Sequence, residues 1–180
     1  SRILKQINRQ NLRYSHQISD SELKYWLKSK IVSDQIMKNP PKDCPFEFSW
    51  YKNRIFRSYV TPFLHRPMFN DRLAFGNYLL FARYIHNDVW FPVYEDGSIV
   101  SNKLVEIIKK TGDKISDSLQ WQVGDVMMID NTRFLHGRNR ILNLKERRIL
   151  TYFGFLHFAC TKKDPVPEAR WRNPAWQPDF

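Results

Sequence analysis

Apolar positions recur along this chain with two different periods, and each period predicts a different element. From Asn11 to Ile18 apolar and polar residues alternate, which predicts a strand with one buried face. Ser19-Asp20-Ser21-Glu22 has the form of a capping box, and Leu23, Trp26, Leu27 and Ile31 follow at helical spacing. A helix is expected there, with Asn39-Pro40-Pro41 as its stop. Cys44 to Tyr51 is aromatic and extended, because Pro45 excludes a helix. Arg54 to Val60 alternates again and closes at Thr61-Pro62. Phe69-Asn70-Asp71-Arg72 reads as a turn, Leu73 to Phe81 as a strand, and Glu95-Asp96-Gly97-Ser98 as a tight turn.

Ser101 or Asn102 then caps a second helix, which is expected to bury Leu104, Val105, Ile107 and Ile108 and to close at a left-handed Gly112. From Trp121 onward the pattern is β. Val126-Met127-Met128-Ile129 comes after the Gly124-Asp125 turn, and Arg148 to Phe158 is the longest strand candidate. Lys162 to Phe180 is a Pro- and Trp-rich tail, with Trp171 and Trp176 expected to pack on the body. The aromatic cluster Trp90, Phe91 and Tyr94 reads as core or lid. Two helices among many short strands predict a mainly β protein with helices, of the α+β class, or part of a β-sandwich with helical cover.

Composition narrows the classes. A chain of 180 residues with 42% hydrophobic residues suffices for one domain, expected to span residues 1–180 with the tail 162–180 packed on it. No run of eighteen apolar residues exists, so no membrane helix is expected. Ser1-Arg2-Ile3-Leu4-Lys5 is expected to be neither a signal peptide nor a lipidation site. Two cysteines, Cys44 and Cys160, build neither a disulfide framework nor a four-cysteine zinc site, and a cytoplasmic setting is expected. The balance of 29 basic against 18 acidic residues, net +11, favours anionic partners. The basic residues are scattered and match no nucleic-acid-binding pattern, so nucleic acid is disfavoured as a partner.

The stretch that carries chemistry runs from Trp121 through Gly124, Asp125, Asp130 and Asn131 to His136-Gly137-Arg138, and a strand-like segment opens with Arg147-Arg148 about ten residues later. An imidazole holds a metal, and a guanidinium grips a carboxylate with two parallel contacts. Together they suit a metal centre with an acidic co-substrate. Asp130-Asn131 reads as a structural turn, and Arg138 either faces a substrate or braces the loop.

These residues, with Arg147-Arg148-Ile149, resemble the C-terminal signature of the TauD/TfdA superfamily of Fe(II)- and 2-oxoglutarate-dependent dioxygenases. The closer likeness is to members that modify amino acids or natural products. Phe75-Gly76-Asn77, Tyr94-Glu95-Asp96-Gly97-Ser98 and Leu12-Arg13-Tyr14 resemble further family elements. The likeness covers most of this chain but only about the second half of a typical member. It implies a double-stranded β-helix (a jelly roll of the clavaminate synthase kind), of which this chain is the C-terminal portion.

The resemblance implies a facial triad of two histidines and a carboxylate around Fe(II), with His136 as the distal ligand. It implies that Arg147 binds the far carboxylate of 2-oxoglutarate, with Arg148 as the alternative because neighbouring strand residues face opposite sides. The family's first-half ligand pair has no counterpart here, and His86-Asn87-Asp88 offers the only His-x-Asp, so His86 and Asp88 are alternative ligands. Three explanations are open: a first half supplied separately, a metal-free remnant, or an unexpected layout through His86 and Asp88. The expected partners are a small-molecule substrate and either a complementary N-terminal segment or a second copy of the chain. The alternative function is a metal-free pseudo-enzyme or interaction module.

Overall fold

A computed structural model describes residues 2–42, 44–67, 71–140 and 148–154. The chain opens with helix α1 (Arg2–Ile7) and strand β1 (Asn11–Ile18), followed by helices α2 (Asp20–Leu27) and α3 (Asp34–Lys38). Strands β2 (Glu47–Tyr51) and β3 (Arg54–Pro62), helix α4 (Leu79–Tyr84), the short strand β4 (Val93–Tyr94) and helix α5 (Asn102–Ile115) are the further elements among the described residues. The strands form one antiparallel sheet in the order β2-β3-β1-β4. The α+β class is thus as expected. A double-stranded β-helix needs two facing sheets, and the described residues supply one.

Register explains where the core sits. Leu12 pairs with Thr61, Tyr14 with Tyr59, His16 with Arg57 and Ile18 with Ile55, so these eight side chains share one sheet face. That face carries two separate cores. At one end Leu12 and Tyr14 pack with Phe63, Leu64, Leu79, Val100, Leu104 and Val105. At the other end Ile18 and Ile55 pack with Leu23, Leu27 and Met37 from α2 and α3. Between the two cores lies a polar band, His16 and Arg57. Arg57 donates to Glu22 at 2.7 Å and lies 4.7 Å from the Phe46 ring centroid. That contact takes Glu22 out of the expected capping box. Ser19 still accepts from the Glu22 amide, but the Glu22 carboxylate turns to the sheet.

Four expected elements differ. The helix after Ser19 does not run on past Ile31: it ends at Leu27, with Lys28 left-handed at φ 51°, and Ile31 stands exposed. Ser33 then caps the separate α3. The strand expected from Leu73 to Phe81 reduces to one bridge, His65 with Ala74, followed by α4. The Asn77 side chain supplies the reason: it accepts from the Leu79 amide, so the backbone turns into a helix. Helix α5 is capped by Ser101 as expected, but it runs through Gly112 to Ile115. Asn102 serves elsewhere, accepting from buried Arg83, whose other nitrogen donates to the Val100 carbonyl.

The fourth difference is the largest. Among the described residues, 121–140 and 148–154 carry no strand, although their sequence has strand character. Strand character becomes a strand only where another edge accepts the backbone groups, and these residues have no such ladder. Val126, Met128, Leu150 and Tyr152 are accordingly almost fully exposed. The rest of the strand expected to reach Phe158 and the tail 162–180 lie outside the described residues, as does Cys160.

Candidate functional site

Beside the Leu12 and Tyr14 end of the sheet face lies a cleft of about 240 Å³. Its floor is the sheet face at Tyr14, Tyr59 and Thr61, and its wall is built by Pro62, His65, Gly76, Asn77 and Tyr78. Each lining group is held from behind. Tyr14 and Tyr59 stack with ring centroids 5.0 Å apart, and the Tyr14 hydroxyl accepts from the Tyr78 amide at 3.2 Å. The Asn77 side chain donates to the Phe63 carbonyl at 3.1 Å, which ties the wall to the most deeply buried ring of the core. Phe91 closes the side against Tyr14, His16 and Tyr78. Of the aromatic cluster expected as core or lid, Phe91 and Tyr94 pack on the core, whereas Trp90 is exposed.

Burial sets the electrostatics of the floor. It pushes the Tyr14 hydroxyl from 10.0 up to about 12, against the lowering effect of the Tyr78 amide, and it raises Tyr59 as well. Burial lowers His16, helped by the neighbouring Arg57. The cleft floor therefore presents neutral phenols at physiological pH. This has a measurable effect on stability. An unfolded chain releases the Tyr14 proton near pH 10, and the folded one keeps it until about 12. The contribution is complete below about pH 10 and is lost as pH rises through that window, a loss of about 2–3 kcal/mol. Urea midpoints measured from pH 9 to 12 are expected to fall more steeply in the wild type than in Tyr14→Phe. Parallel curves would show that this hydroxyl does not titrate late.

His65 joins the cleft to the segment that carries the signature. Its backbone exchanges two hydrogen bonds with Ala74, and its ring Nε2–H donates to the Thr132 carbonyl at 2.5 Å. Thr132 belongs to a turn in which the Asp130 carboxylate accepts from the Thr132 amide and hydroxyl. The Asp130 carbonyl accepts from the Arg133 and Phe134 amides. Asp130 is thus a structural turn residue, as expected. Beyond the turn, His136, Arg138 and Arg148 are exposed and none lines the cleft, while Arg147 lies outside the described residues. His86 is exposed, with its ring near the Tyr78 hydroxyl at 3.4 Å, and Asp88 accepts from the Trp90 amide at 2.8 Å.

Nothing in the spacing of Leu64-His65-Arg66-Pro67 announced a site residue. A signal did exist in Gly76, since a glycine inside a strand-like run often marks a close approach. A β-carbon there would lie 2.6 Å from Cε1 of His65.

The described residues thus make an α+β unit with a small open cleft on its sheet face, lined partly by aromatic rings. The profile of the family described as "Taurine catabolism dioxygenase TauD, TfdA family" matches residues 51–152, more than half of the chain. The chain belongs to that family. A comparison with curated proteins finds no match. An iron centre of the kind such dioxygenases use needs several protein donors at one point. Among the described residues, no three His, Cys, Asp or Glu side chains come together to hold a metal ion. The residues described do not by themselves fit an iron centre.

Proposed function

We propose that this chain is the C-terminal portion of an Fe(II)- and 2-oxoglutarate-dependent dioxygenase that oxidises a small amino-acid-like or natural-product substrate. The family match carries the reading, since residues 51–152 take in every residue of the cleft lining except Tyr14 and the whole run from Trp121 through His136 to Arg148. In this reading His136 is a metal ligand, Arg147 or Arg148 binds 2-oxoglutarate, and Arg138 faces the substrate. The remaining ligands come from a complementary N-terminal segment or a second copy, or from His86 and Asp88. The same complement supplies the second sheet of a double-stranded β-helix. Support for a complement comes from Val123, Val126, Met128, Leu150 and Tyr152, which stand exposed along an unladdered chain.

A cytoplasmic location belongs to the same proposal; no described helix is long and apolar enough to cross a membrane. The missing cluster of metal donors among the described residues favours the second reading, a metal-free module that keeps the scaffold. An anaerobic titration with Fe(II) and 2-oxoglutarate separates them, run on the chain alone and on the protein from its native source. The enzyme reading expects a weak visible band, and succinate once oxygen is admitted. Neither signal in either preparation leaves the module.

A further inference from the structure

We propose that His65 is a clasp that sets the position of the Asp130–Phe134 turn, with Gly76 as its seat. Three features meet at this ring. The backbone of residue 65 is fixed on both sides by its paired bonds to Ala74, so the ring projects from a rigid base. The ring lies so close over Gly76 that any β-carbon there would sit 2.6 Å from Cε1 and 3.3 Å from Nε2. Its far nitrogen reaches a carbonyl 67 residues away, within a turn already closed internally by Asp130. A rigid base, a seat with no spare room and a rigid target leave the imidazole one productive orientation.

The clasp links two parts of the molecule. His65 and Gly76 line the cleft, while Thr132 stands four residues before His136. One side chain thus belongs both to the cleft wall and to the hold on the turn that precedes His136-Gly137-Arg138. The clasp stands on its own geometry; only the catalytic importance of His136 and Arg138 beyond the turn rests on the proposed function. Because the carbonyl accepts, the neutral ring must carry its proton on Nε2.

Hydrogen exchange at the Arg133 and Phe134 amides reads the clasp directly, without metal or substrate. His65→Ala is expected to speed exchange at both by about five- to tenfold, the effect of one net hydrogen bond. Exchange in the β1–β3 ladder should stay unchanged. Gly76→Ala, which keeps the imidazole but pushes it off its seat, should do the same. His65→Gln, which keeps an N–H donor at a similar reach, should restore slow exchange. Nitrogen shifts of the His65 ring should show Nε2 protonated and Nδ1 bare in the neutral form. Unchanged exchange in both His65→Ala and Gly76→Ala, no rescue by glutamine, or the opposite tautomer would each overturn the proposal. A wild type that binds no iron but shows these exchange effects would refute the enzyme reading and leave the clasp standing.

Discussion

In the enzyme reading proposed above, replacing His136 with alanine is expected to abolish the Fe(II)- and 2-oxoglutarate-dependent band, with metal affinity falling by at least about 100-fold. Changes to groups that only orient a metal ligand already cost up to that factor, and removing the ligand itself costs more. The substitution should leave the fold intact, because His136 is exposed and comes after the turn that Asp130 closes from within. Equal urea midpoints for wild type and variant would show this. The arginine pair gives the companion measurement. Arg147→Ala is expected to raise the 2-oxoglutarate requirement by about 10- to 100-fold, the worth of a charge-assisted two-pronged contact, and Arg148→Ala by much less. The reverse order would transfer the role to Arg148. A His136→Ala variant that keeps the full band would remove this residue from the metal site.

Phe63→Ala is expected to cost about 3–5 kcal/mol, the range for a large ring removed from a closed core. Phe63 is fully buried and shares one cluster with Leu12, Leu79 and Val100, with the rings of Phe75 and Tyr94 beside it. The cost is a large part of the total stability of a small domain, about 5–15 kcal/mol. It should reach the cleft as well, because the carbonyl of residue 63 holds Asn77 in the wall. Phe153→Ala is the internal control. Phe153 is exposed, and truncation there should change stability by less than about 0.5 kcal/mol. A Phe63→Ala midpoint within error of the wild type would mean that the two cores do not depend on the ring that fills the larger one.

Elements made by neighbours in the chain were legible from residues alone. Strand β1 and its continuation by a Ser19-capped helix come from alternation and one hydroxyl. The Glu95–Ser98 turn comes from Asp96, which accepts from the Ser98 amide and hydroxyl, and from Gly97 at φ 86°. The cap at Ser101 is equally local. Errors arose where a distant group competed. Glu22 left its capping box for Arg57 across the sheet. Between the two expected caps Ser101 and Asn102, which the residues left open, a distant group decided: Asn102 accepts from Arg83 and Ser101 makes the cap, as one of the two expected. The end of helix α5 differed for a local reason: the Gly112 carbonyl accepts from both the amide and the hydroxyl of Ser116, four residues on, so the helix passes the glycine.

The site divides in the same way. The signature from Trp121 to Ile149 was legible as a family resemblance, and the family match over residues 51–152 agrees with it. The cleft was not legible, because its members come from positions 14, 59, 61, 62, 65 and 76–78 and share no spacing.

The residues by themselves determined the periods, caps and turns, the family, and the identity of the groups able to do chemistry. Each of those depends on side chains within a few positions of one another, where chain geometry leaves few choices. Tertiary structure alone decided that two cores share one sheet face with a polar band between them, and that an imidazole at position 65 joins the cleft's wall to the turn at Thr132. It also left the strand-like run at Val126 without a ladder. Those outcomes depend on which backbone edges and which buried surfaces meet. That is settled by pairing across dozens of residues, where burial and hydrogen bonding of the whole assembly outweigh local preference.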